Sequence, residues 1–61
     1  MRHAGKVKVG DKVVLLIGDD EYEARVIDAL STQFTCRILR TKQVRFYFYA
    51  DKGITWKPHV K

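Results

Sequence analysis

Gln33-Phe34-Thr35-Cys36-Arg37-Ile38-Leu39-Arg40 is the stretch on which the fold turns. Phe34, Cys36 and Ile38 alternate with Thr35, Arg37 and Leu39, the two-residue period of a strand with one face in a core. Turn formers bound the run, Ser31-Thr32-Gln33 before it and Thr41-Lys42-Gln43 after it. Outward from there the pattern repeats. Residues 21–29 set Tyr22, Ala24 and Val26 against Glu23, Arg25 and Ile27, and residues 12–17 put Val13 and Leu15 on one face. Residues 44–50 read as a strand with Val44, Phe46 and Phe48 inward and Arg45, Tyr47 and Tyr49 outward. Residues 54–57 make a short fifth strand stopped by Pro58, which cannot donate to a sheet ladder. Gly10-Asp11, Gly18-Asp19-Asp20 and Asp51-Lys52-Gly53 supply the remaining turns, and residues 28–33 have room for one helical turn at most. Short strands joined by tight turns form a meander, and five of them bury a shared core best by curling into a small barrel.

With 61 residues the chain is one domain at most, and domains this small bury only about 60% of their unfolded surface. Residues 1–6 read as a flexible lead and 59–61 as a short tail, and Met1 suggests a natural start. Cys36 is the only cysteine, so an internal disulfide is excluded. The longest apolar run, residues 13–17, is too short to cross a bilayer as a helix, and no signal peptide is legible. The expectation is a cytoplasmic or nucleoid-associated protein with no membrane partner.

The chain resembles the Tudor and SH3-like barrels. Val9-Gly10-Asp11-Lys12-Val13 opens the first strand, Tyr22-Glu23-Ala24-Arg25-Val26-Ile27-Asp28 forms the second and Thr35-Cys36-Arg37-Ile38 the third. This is similar to the Tudor order of a Val-Gly-Asp opening, a Tyr-x-Ala-x-Ile second strand and a Thr-Cys-Val-Val third. The resemblance spans about residues 7–49 and implies an all-β, five-stranded antiparallel SH3-like (Tudor-like) small barrel. The methyl-reading function is not implied. Tudor cages hold a cation against aromatic faces, yet the matching positions carry Ile17 and Arg40, and only Tyr22 fits. Plasmid-type dihydrofolate reductases share the barrel, but Val44-Arg45-Phe46-Tyr47 departs from their Val-Gln-Ile-Tyr segment.

The charge is polarised. Residues 1–23 carry four basic and five acidic side chains, whereas residues 24–61 carry eight basic and two acidic. A basic body with an acidic tip at Asp19, Asp20, Glu21 and Glu23 favours a polyanionic partner, nucleic acid first. No enzyme is expected. His3 and His59 lie in the termini, Cys36 alternates inward as a core thiol, and no Cys/His spacing suits zinc. The acidic turn reads as solvated rather than metal-binding, so neither a cofactor nor a small-molecule substrate is expected.

Residues 44–49 hold four of the seven aromatic residues, which leaves Tyr47 and Tyr49 outside once the phenylalanines fill the core. A surface of Arg25, Arg37, Arg40, Lys42, Arg45, Tyr47 and Tyr49 offers cations for phosphates and rings for bases. The first expectation is therefore a small basic binding module that contacts DNA or RNA with little sequence specificity. The alternative is a protein-interaction module docking through Asp19, Asp20, Glu21, Glu23 and Trp56, although Trp56 with Ile54 reads first as a core cap at the barrel end. Tyr47 and Tyr49 packing against the N-terminal lead, the Leu39 and Ile27 side chains or a second copy stays open, as does a monomer or weak homo-oligomer.

Overall fold

A computed structural model describes residues 7–59. Among these residues five strands follow one another: β1 Lys12–Ile17, β2 Asp20–Ala29, β3 Gln33–Ile38, β4 Val44–Phe48 and β5 Trp56–Pro58, with a 3-10 turn at Tyr49–Asp51. They form one antiparallel sheet in the order β4-β3-β2-β1-β5. The all-β expectation holds, and the sheet curls into a half-barrel consistent with a small SH3-like barrel. β4 and β5 are the two ends of the order and share no ladder. Their junction is a side-chain bond, Trp56 Nε1 donating to the Phe48 carbonyl at 2.9 Å. The lead at 1–6 and residues 60–61 lie outside the described residues.

Local chemistry explains the first hairpin. Ile17 faces Asp20, so Gly18 and Asp19 are the whole loop, and Gly18 has φ +60°. A positive φ at the first loop position is the type II′ solution that matches strand twist, and glycine adopts it without strain. On β2 a bulge shifts the register between Val26 and Asp28, leaving Ile27 exposed while Val26 and Ala29 stay on the core side.

The core is what the alternation of the first three strands requires. Val13 and Leu15 of β1, Ala24 and Val26 of β2, and Phe34, Cys36 and Ile38 of β3 are all buried, joined by Trp56 of β5. Phe34 lies at the centre, with the Trp56 ring edge-on at 4.8 Å and 78°.

β4 reverses its expected orientation. Val44, Phe46 and Phe48 are 52%, 58% and 44% exposed, while Tyr47 and Tyr49 pack on the core. Their ring centroids lie 6.2 and 5.6 Å from Phe34. The cause is register. β3 ends at Ile38, so Leu39 and Arg40 belong to the turn, and the Gln43 carbonyl accepts from Ile38 N–H at 2.8 Å. That closure sets Phe34 opposite Tyr47 and Thr35 opposite Phe46, and opposed residues share a face. The fifth strand is also displaced. It begins at Trp56 rather than residue 54 and includes Pro58, leaving Ile54 73% exposed in the preceding turn.

Candidate functional site

On the outer face a transverse row of cations crosses three strands. Lys12 of β1 is opposite Arg25 of β2, Arg25 is opposite Arg37 of β3, and Arg37 is opposite Val44 of β4. Each alternates with a buried neighbour, so all three cations point outward and are exposed. Directly opposed side chains start about 5 Å apart, and like charges at that spacing disfavour the folded sheet. None of the three has an ion-pair partner among the described residues. Arg25 alone makes a bond, its guanidinium donating to the Gly10 carbonyl at 3.4 Å. Beyond Arg37 the same face turns apolar along β4, where Phe46 and Phe48 stand edge to face at 5.8 Å and 84°.

The seven basic and aromatic residues expected to form one patch are divided. Arg25 and Arg37 sit together in the row, whereas Arg40 and Lys42 lie in the β3–β4 turn. The Arg40 guanidinium carbon is 5.3 Å above the Tyr22 ring, a cation–π contact within the chain. Lys42 holds the turn with φ +67° and its N–H donating to Ile38 O at 2.7 Å. Arg45 faces the other way, opposite the buried Cys36. The expected outward display of Tyr47 and Tyr49 is overturned, since both rings lie against Phe34. Burial raises the Tyr47 hydroxyl pKa above its usual value, with nearby Arg45 pulling the other way and Cys36 adding to the rise. Burial and the charge of Asp28 do the same for Tyr49.

Sequence reasoning missed Lys12, Phe46 and Phe48. Lys12 was legible, because it has the opposite parity to Val13 and Leu15. The phenylalanines were not, since both faces of β4 are hydrophobic enough to be buried.

The acidic tip is divided as well. Asp19 and Asp20 are exposed at the first hairpin, but Glu21 accepts from Lys57 at 3.0 Å and Glu23 meets His59 Nε2 at 3.1 Å. These two contacts pin β5 across a groove of about 390 Å³ that Val14 and Tyr22 also line. His59, expected in a loose tail, is thus held, and its N–H reaches Lys12 O at 3.4 Å. Trp56 is corrected as a docking residue: it is 1% exposed and serves the core.

The Cys36 thiol is buried, which pushes its pKa up to about 11 with Arg45 acting in the opposite sense. A thiol so protonated is a poor nucleophile. Among the described residues no group of three or more His, Cys, Asp or Glu side chains is placed to hold a metal ion, and no helix is long and apolar enough to cross a membrane. No protein-family model, curated protein or solved structure matches this chain.

Proposed function

We propose that the protein is a small basic binding module that contacts nucleic acid through the outer face of its half-barrel. The observation that carries this reading is the row Lys12–Arg25–Arg37, three opposed cations without a carboxylate among them. An arrangement that costs stability in the free protein becomes favourable once a polyanion lies across it and releases its counterions. Phe46 and Phe48 beside the row present ring faces and edges on which unpaired bases stack. Arg40 and Lys42 lie in the β3–β4 turn, Arg40 over the Tyr22 ring, and Arg45, Tyr47 and Tyr49 take no part in the row. The Tudor-like strand order goes with a different ligand here, because Arg40 covers the one ring that fits a cage position. A cytoplasmic or nucleoid-associated setting suits this role.

The test is retardation of mixed single- and double-stranded oligonucleotides across a salt series. Three phosphate contacts at about −0.9 each give duplex affinity a log–log salt slope near −2.7, or a loss of about 40-fold between 50 and 200 mM salt. Arg37→Gln lowers the slope by about 0.9. Absence of binding at low salt retires the reading. A stoichiometric protein partner that survives nuclease treatment, and depends on Asp19 and Asp20, replaces it with a docking module.

A further inference from the structure

We infer that the free edge of β4 pairs with the β4 edge of a second copy, joining two half-barrels through one continuous sheet. The inference is independent of nucleic-acid binding. Ile38 N–H bonds Gln43 O, and Tyr49 N–H bonds Thr32 O. With the register between them, odd-numbered residues of β4 turn their backbone groups toward β3. Val44, Phe46 and Phe48 therefore turn theirs to the open side, and β4 is terminal in the sheet. The Phe48 carbonyl is met by Trp56. The N–H and C=O of Val44 and Phe46 and the N–H of Phe48 face outward. The same three residues carry the exposed apolar side chains.

The occupant follows from the sequence of the edge. An antiparallel pairing with its two-fold axis at Phe46 sets Val44 opposite the partner's Phe48 and Phe46 opposite the partner's Phe46. On the other face it sets Arg45 opposite the partner's Tyr47, a cation beside a ring. All five strand residues find a compatible neighbour, as an isologous interface requires. Registers one step away fail. An axis at Arg45 opposes two guanidinium groups, and one at Tyr47 drives Val44 against Ala50, which lies in the 3-10 turn. Nothing on this edge resists pairing: it has no proline, and its Arg45 is matched.

Five residues a side make a seam below the usual size of a stable interface, so the dimer is weak. Each copy carries a formal +5. Salt therefore strengthens association by screening repulsion, the reverse of its effect on a nucleic-acid complex. Sedimentation from micromolar to millimolar protein is expected to show a monomer–dimer equilibrium that shifts to dimer as salt rises. Amide exchange at Val44 and Phe46 should slow as the dimer fills. Phe46→Lys opposes two ammonium groups and is expected to leave a folded monomer. N-methylation of the Phe46 amide in a synthetic chain removes the central donor and gives the same result without a new charge. Arg37→Gln should leave the equilibrium in place, which separates this test from that of nucleic-acid binding. A monomer at every concentration, leaving the edge to a strand of another protein, overturns the inference. So does a dimer that survives both Phe46 changes.

Discussion

The two ends of the sheet handle the same problem in opposite ways. β5 is three residues long, and its pairing with β1 turns Trp56 and Pro58 toward the open side. There Pro58 has no N–H to offer, and the Trp56 carbonyl already accepts from Gly53 N–H at 2.6 Å. Lys57 and His59 are tied back to Glu21 and Glu23. β4 is longer, lacks proline and shows three apolar side chains to solvent. Shortness, proline and charge are the usual protections of an exposed edge. One end of this molecule has all of them, and the other has only Arg45. The proposed pairing of two copies uses the end that lacks these protections.

The largest effect should come from the residue that joins the two ends. Trp56→Ala removes the biggest core side chain and the bond to Phe48 O. A loss of about 3–5 kcal/mol is expected, much of the margin of a small domain. Urea unfolding followed by circular dichroism measures it, and a loss under about 1 kcal/mol contradicts the joining role.

Alkali should loosen the β4 end next. Burial pushes the Cys36 thiol from the ordinary 9.0 up to about 11 and raises the Tyr47 and Tyr49 hydroxyls above their ordinary 10.0. A raised acid keeps its proton longer in the folded state. Its stabilising contribution is therefore complete below the unfolded value and disappears as pH climbs through the folded one. The urea midpoint should hold level to about pH 8 and fall steadily above pH 9. A midpoint that rises over that range reverses the assignment.

Restoring an open edge at the other end sharpens the contrast. Pro58→Val returns an N–H to the unpaired side of β5, at a stability change within about 0.5 kcal/mol. Two pairing edges per chain permit open-ended assembly, so light scattering should detect species larger than a dimer, where the parent protein shows none. The smallest effect belongs to the pins of β5. Glu21→Gln breaks a pair exposed on both sides and is expected to cost under about 1 kcal/mol by urea unfolding.

Two of the strands that were legible in advance, β2 and β3, have one greasy face and one polar face. In β2 and β3 the buried sets Ala24 and Val26, and Phe34, Cys36 and Ile38, alternate with charged or mixed residues, so only one orientation buries hydrocarbon, while β1, apolar on both parities at Val13 to Ile17, is oriented by Lys12 at its start. Residues 44–49 offer phenylalanines on one parity and tyrosines on the other, and hydrophobicity ranked the wrong pair as interior. The candidate site inherited that error. Arg25 and Arg37 held their expected neighbourhood because β2 and β3 were read correctly, while Arg45, Tyr47 and Tyr49 went to the opposite face with β4. Ile54 and Trp56 present the same ambiguity: both share a parity, but only Trp56 reaches the core.

The amino-acid order by itself determined a two-residue period, the places where turns interrupt it and the surplus of cations beyond residue 23. Those are properties of neighbours in the chain. Which edge stays open was decided by the order of the strands, and which side of β4 meets the core, and with it the face that Arg45 takes, by the 39–43 turn and the ladder it sets. A slip of one residue there carries every side chain of the strand to the other surface, and no local pattern reports it.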